Sequence, residues 1–264
     1  MELGLDGKVA WVLGASSGLG RSCALSLARE RARVAVSARR EDQLKNIAAE
    51  IANDTGGESI AVPCDVTDAG AIAAAGRRVA SELGDVDILI ANAGGPPPGT
   101  FADIDDAALH TAFELTTASA WRLAKAVVPT MQARSGGVLI FLTSGSTKEV
   151  IPNLLLSNMM RAAVVGMAKT LSKELAPDGI RTVCVAPGRI ETDRLQQLDG
   201  AAAERTGRSI EEVRQQMQGL IPLGRYGRPQ EFGDVVTFLA SERASFVNGV
   251  TVLVDGGMLN GILS

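Results

Sequence analysis

The chain has 264 residues, 46% of them apolar, enough for one large α/β domain and short for two. Its 26 lysines and arginines against 30 aspartates and glutamates leave a net charge of -4 and no basic stripe, which excludes the usual electrostatic footprint of a nucleic-acid binder. Cys23, Cys64 and Cys184 are scattered without metal-ligand spacing, Glu2 and Asp6 are acidic where a leader would be basic, and no apolar run can span a bilayer; a cytoplasmic protein with no metal and no membrane partner is expected.

Short β-branched runs alternate with Ala/Leu-rich stretches. In chain order they predict a strand over 9–13, a helix over 19–30, a strand over 33–37, a helix over 41–53, a strand over 59–63 and a helix over 69–83. A strand over 86–91, a long helix over 107–131, a strand over 138–143, a helix over 158–175 ended by Pro177 and Gly179, a strand over 181–186, a helix over 230–240 and a strand over 251–254 follow. The strands are almost continuously apolar, as strands buried on both faces are. The expected architecture is α/β, a single-domain doubly wound Rossmann fold over residues 1–264, with a seven-stranded parallel sheet and helices on both faces. Residues 190–219 are polar, interrupt the alternation after the sixth strand and are expected to form a substrate lid.

The first strand runs directly into Leu13-Gly14-Ala15-Ser16-Ser17-Gly18-Leu19-Gly20. Glycines at such a turn let the backbone approach a pyrophosphate, whose charge the N-H groups of the following helix favour; the same turn can also serve close packing alone. The second strand ends Ser37-Ala38-Arg39-Arg40, two guanidinium groups where an acidic residue would select a free ribose 2'-hydroxyl. This points to NADP(H) over NAD(H), the alternative being a solvated basic pair.

Further signals stand at the ends of later strands: Cys64-Asp65-Val66, Ala91-Asn92-Ala93-Gly94, Thr143-Ser144 and Pro187-Gly188-Arg189-Ile190-Glu191-Thr192. In this order, over almost its whole length, the chain resembles the short-chain dehydrogenase/reductase family, and within it the 3-oxoacyl carrier-protein reductases. The resemblance implies that Gly14, Ser16, Ser17, Gly18, Leu19 and Gly20 hold the cofactor phosphates, and that Asp65 and Val66 meet the adenine. It further implies that Asn92, Ala93 and Gly94 line the ribose side, and that Pro187, Gly188, Ile190 and Thr192 face the nicotinamide. Leu13 and Ala91 depart from the family's Thr and first Asn, and Asp65 or the Pro187-Gly188 pair can also serve as plain turn formers.

The larger departures fall on the catalytic set. Of the family's Asn, Ser, Tyr and Lys, only Ser144 remains; Thr116, Ser157 and Arg161 occupy the other positions. A phenol with a pKa of about 10 can give up and regain a proton, an aliphatic hydroxyl is a far poorer acid, and an arginine stays protonated. Arg161, one helical turn after Ser157, retains a fork able to hold the nicotinamide ribose hydroxyls. Among other groups, His110 suits a surface, Tyr226 stands away from the reacting carbon in the family's arrangement, and Lys148 is a donor, an anchor or a solvated side chain. Arg194, Arg205 and Arg208 meet an acidic ligand or form a solvated lid face.

Three readings remain. The first is an NADP(H)-dependent oxidoreductase of a carbonyl or secondary alcohol, a 3-oxoacyl thioester for instance, in which Ser144 and Ser157 bind the oxygen and water carries the proton. The second is a nucleotide-binding protein without redox turnover, acting as a sensor, scaffold or inactive partner subunit. The third uses the same pocket for non-redox chemistry. The resemblance, with the Met159, Met160, Ala162 and Ala163 run, implies a homo-oligomer, dimer or tetramer.

Overall fold

The computed structural model describes residues 2–261. The chain runs β1 (Val9–Leu13), α1 (Gly18–Arg29), β2 (Arg33–Ser37), α2 (Glu41–Thr55), β3 (Ser59–Ala61), α3 (Ala69–Glu82), β4 (Ile88–Ala91), α4 (Asp106–Ala112), α5 (Ser119–Ala133) and β5 (Gly137–Leu142). It continues through α6 (Leu155–Glu174), β6 (Ile180–Pro187), α7 (Asp193–Thr206), α8 (Ile210–Gly219), α9 (Pro229–Ala240) and β7 (Thr251–Val254). All neighbouring strands are parallel, in the order β3-β2-β1-β4-β5-β6-β7. The order reverses between β1 and β4, which opens a crevice at the carboxyl ends of those strands.

Alternate side chains of β1 feed two separate cores. Ala10 and Val12 pack with α1, α2 and α9 residues such as Leu27, Leu44 and Phe232. Val9, Trp11 and Leu13 pack with α3, α5 and α6 residues such as Val79, Leu123 and Val164. Both faces of the sheet are therefore sealed, and Trp11 satisfies its buried indole N-H on Ser37 Oγ at 2.8 Å.

The strand expected over 86–91 begins at Ile88 and the helix expected over 158–175 begins at Leu155, and three further elements differ from expectation. The strand expected over 59–63 ends at Ala61; Pro63 has no N-H to donate, though Val62 and Cys64 still donate to the carbonyls of Val36 and Ala38. The long helix expected over 107–131 is α4 and α5 joined by a π-helical segment, Phe113–Ala118. The stretch over 190–219 contains two helices, separated where Gly207 takes φ 67° and Ser209 and Glu212 form a reciprocal cap on α8. Among the described residues no helix is long and apolar enough to cross a membrane.

Candidate active site

The loops after β1, β2, β4, β5 and β6 enclose one cleft of about 670 Å³. Its first wall is the turn before α1. Gly14 and Gly18 take φ +61° and +56°, and a Cβ on Gly14 would stand 2.5 Å from Asn92 Nδ2. Gly20 is packed under the Gly14 carbonyl and supports the turn from behind, while Gly14, Ser16, Ser17, Gly18 and Leu19 line the cleft. Ser17 caps α1 without a side-chain hydrogen bond and the first turn holds no acid. The N-terminal N-H groups and the positive end of the helix dipole thus remain available, so these residues fit a diphosphate.

The adenosine end is basic. Arg39 and Arg40 are exposed on the wall, Arg40 Nη2 donates to Ser16 Oγ at 3.2 Å, and neither forms an ion pair among the described residues. Val66 lines the same wall. Asp65 does not: its Oδ1 accepts from Thr67 N and Oγ1 at 3.0 and 2.8 Å, bonds that hold its carboxyl below the usual carboxylate range. Opposite, Asn92, Ala93 and Gly94 after β4 and Pro187, Gly188, Ile190 and Thr192 after β6 complete the walls of the cleft.

At the far end Ser144 precedes a short 3-10 turn and accepts from Ser146 N at 3.1 Å. Ser157, in the first turn of α6, brings its Oγ to 3.4 Å from Ser146 Oγ. Arg161 lies one turn further along α6 and is 8% exposed. It lines the cleft with two of its guanidinium N-H groups engaged: Nη1 donates to Leu142 O at 2.6 Å, Nη2 to Ala93 O at 3.4 Å, and buried Nε has no partner. Burial, with the charge of Arg194 second, pushes this guanidinium down to about 10, so it remains a cation at neutral pH.

Thr116 sits in the π-helical segment, a widened turn found often at functional sites. It does not line the main cleft. Its Oγ1 is buried without a partner beside a cavity of about 10 Å³, whose wall shares Asn92, Ala93, Leu142 and Arg161 with the cleft. That volume is on the scale of one water.

The other candidate acids stand aside. Tyr226 is buried against Leu195 and Ile221, donates to Asp199 Oδ2 at 3.0 Å and has its phenol pushed up, chiefly by burial. His110 is exposed on α4, and Lys148 caps the 3-10 turn outside the cleft lining. Burial pushes the Cys64 thiol up to about 11 and Cys184 up to about 12, which leaves both inert at neutral pH. Of the lid arginines only Arg194 lines the cleft; Arg205 and Arg208 are exposed elsewhere. Sequence reasoning missed Ser146, Leu115, Leu154 and Leu198; Ser146 had a signal, two residues past Ser144 on the same loop. A depression of about 1050 Å³ lies at the opposite ends of the strands, lined by Lys8, Asp87, Val138 and Arg181, away from all these groups.

A family model described as enoyl-(acyl carrier protein) reductase matches residues 14–259. The 3-oxoacyl-[acyl-carrier-protein] reductase of Salmonella typhimurium is 33% identical over 97% of this chain and 99% of its own length. The solved L-sorbose reductase of Gluconobacter frateurii, complexed with NADPH and L-sorbose, is 32% identical and superposes with a TM-score of 0.94 over 99% of this chain and 100% of its own. A 7 alpha-hydroxysteroid dehydrogenase solved with NADH and a 7-oxo bile acid is 33% identical with a TM-score of 0.89, covering 100% of this chain and 97% of its own. These relatives are nicotinamide-dependent oxidoreductases of carbonyls and alcohols. Matched by the family model over residues 14–259 and by these relatives over nearly its whole length, this chain belongs to the short-chain dehydrogenase/reductase family.

Proposed function

We propose that the protein is an NADP(H)-dependent oxidoreductase of a carbonyl or secondary alcohol whose proton passes through serine hydroxyls and water instead of a phenol. The observation that carries this reading is the cleft itself. The diphosphate-fitting turn, two arginines without ion pairs at one end and the hydroxyls of Ser144 and Ser157 at the other line the same cleft, with Ser146 in contact with Ser157 behind them. NADPH, when bound, supplies a hydride; the solved L-sorbose reductase, which holds it, supports that choice, while the NADH in the hydroxysteroid enzyme shows that the family accommodates both.

The chain's own groups divide the remaining work. Ser144 accepts from Ser146 N, which leaves its own proton to give to a substrate oxygen. Ser157 and Ser146 share a hydrogen bond and can orient a water. Arg161 cannot relay protons at neutral pH; tied to Leu142 O and Ala93 O, it fixes the loops after β4 and β5 and presents a fixed positive charge. Thr116 Oγ1 and Arg161 Nε, both without protein partners, flank the water-sized cavity next to the cleft and offer a route for resupplying the proton. The helices α7 and α8 act as the lid, with Arg194 reaching Pro96 O across the opening at 3.0 Å. Trp121 and Met159, exposed on α5 and α6 near Ala162 and Ala163, support a homo-oligomer, dimer or tetramer, of cytoplasmic type.

The test uses NADPH deuterated at the transferable position with a panel of ketones and 3-oxoacyl thioesters, run beside Ser157→Tyr with Arg161→Lys. Deuterium in product from the unaltered protein is the expected result. A second reading, nucleotide binding without turnover, is favoured by the missing phenol. It predicts NADPH binding without label transfer, and transfer gained by the double variant.

A further inference from the structure

Arginines on the outer surface are mostly neutralised: Arg21 pairs with Glu50, Arg33 with Glu58, Arg122 with Glu114 and Arg189 with Asp199. The substrate end of the cleft is different. Arg161 is 8% exposed, bonds only to two backbone carbonyls and keeps a buried Nε-H without a partner. Arg194 projects from the start of α7 to the loop after β4, where its one hydrogen bond is to Pro96 O at 3.0 Å. Neither forms an ion pair among the described residues, and the only carboxylate in the cleft lining there is Asp193. No carboxylate offsets the fall in the Arg161 pKa, which burial causes and Arg194 deepens.

A buried cation without a counter-charge is costly, and two guanidinium groups facing one cavity add mutual repulsion. The chain keeps both, and Gly95 on the loop after β4 lies in ordinary contact range of the Arg194 guanidinium, where a Cβ would stand 3.4 Å from Nη2. An anion between them relieves both costs. A guanidinium with most of its N-H donors unspent takes a carboxylate in two parallel bonds, which a neutral ketone cannot supply.

We propose that the substrate end of this cleft is an anion subsite, in which Arg194 binds a carboxylate on the substrate and Arg161 holds the fixed charge behind it, so that the protein acts on oxo acids and their hydroxy acids. This rests on the oxidoreductase reading above. In the reducing direction the substrate C=O gains a hydride from NADPH and a proton from water, giving CH–OH and NADP⁺. The carboxylate is unchanged and stays on Arg194.

An anionic oxygen at Arg194 could belong to the substrate or to the cofactor diphosphate, and the experiment separates them. Acetoacetate and levulinate, each beside its methyl ester, are titrated calorimetrically into the full-length protein saturated with NADP⁺. NADPH affinity is measured in parallel, on unaltered protein, Arg194→Gln and Arg194→Lys. Arg194 is at the exposed mouth, so both variants are expected to fold, which thermal melting checks. The expected result is binding of the acids at least tenfold tighter than the esters, loss of that preference in Arg194→Gln, partial retention in Arg194→Lys, and unchanged NADPH affinity. Equal binding of acid and ester overturns the proposal. So does a loss of NADPH affinity in Arg194→Gln with the acid preference intact, which would give Arg194 to the diphosphate. If neither coenzyme binds, the oxidoreductase reading fails by itself. The acids are then titrated into the protein alone, where Arg194-dependent binding upholds the subsite and its absence overturns it.

Discussion

Ser157 and Ser146 hold their hydroxyl oxygens 3.4 Å apart beside the buried guanidinium of Arg161, where the family has a phenol and an ammonium. Two aliphatic hydroxyls can orient a water but neither ionises near neutrality. Ser157→Ala and Ser146→Ala are each expected to lower kcat about tenfold, at the weaker end of general acid–base effects, with the dissociation constant for NADPH unchanged. Stopped-flow turnover and a fluorescence titration check the two halves. A change confined to NADPH affinity would remove the serines from the proton path.

The pH profile follows from the same groups. If, as proposed, no phenol serves the reacting oxygen, kcat is expected to stay flat from neutrality toward the alkaline side. Arg161 binds its proton below about 10 and loses it above. Its positive charge, and any anion affinity that depends on it, is therefore present at neutral pH and declines as pH rises through that value. For stability the sign is opposite. Because the folded pKa is depressed below the ordinary arginine value, the unfolded chain holds the proton more tightly, and this group's penalty is in full force below about 10 and is relieved above it. Acetoacetate titrations across the alkaline range check the binding half.

At the adenosine end, Arg40 reaches Ser16 Oγ and Arg39 stands beside it without an ion pair. Arg39→Ala with Arg40→Ala is expected to weaken NADPH at least tenfold, on the order of 1.4 kcal/mol or more, and to leave NADH nearly unchanged. Titration with both coenzymes, repeated at raised salt, measures the difference. Equal losses for the two would assign the pair to the diphosphate or to folding.

The sheet and the glycine turn after β1 were legible in the sequence because their causes are local. Trp11 and Val12 alternate between two cores, and Gly14 and Gly18 need positive φ. The π-helical turn carrying Thr116 was not: Phe113 to Ala118 continue the helical pattern of their neighbours, and the contact Thr117 makes with Met160 O on α6 comes from 43 residues away. The split of the lid had a sequence signal, Ser209 and Glu212 at capping-box spacing after Gly207, that went unread. The fate of Arg161 was hidden for another reason. Which acceptors its fork would find depended on the carbonyls of Leu142 and Ala93, which come from two strands distant in sequence.

Tyr226 supplies a control on the chemistry. Its hydroxyl donates to Asp199 Oδ2, and Asp199 is 4% exposed and paired with Arg189. Tyr226→Phe removes the hydrogen bond to buried Asp199 and a longer one accepted from Arg189 Nη1 at 3.4 Å, expected to cost about 1.5–3 kcal/mol of stability. Because the ring lies outside the cleft lining, hydride transfer at a temperature where the variant is folded is expected to change less than about twofold, well short of the effect of losing a catalytic acid. Denaturant melts and label transfer read the two effects separately. A fall in transfer of a hundredfold would make this phenol the missing acid.

Thr116 reverses that pattern. Its Oγ1 has no protein partner and is buried, so Thr116→Val keeps the shape and forfeits no protein hydrogen bond. The expected stability change is within about 1 kcal/mol. If a water in the neighbouring cavity carries the proton, the same variant removes one of the two unpartnered polar side-chain atoms of the residues that line it, leaving Arg161 Nε. Turnover is then expected to fall several-fold, with a larger solvent deuterium isotope effect because proton resupply becomes slower than hydride transfer. Unchanged kcat and isotope effect in Thr116→Val would place the proton route through the open cleft at Ser144 and Ser157 alone.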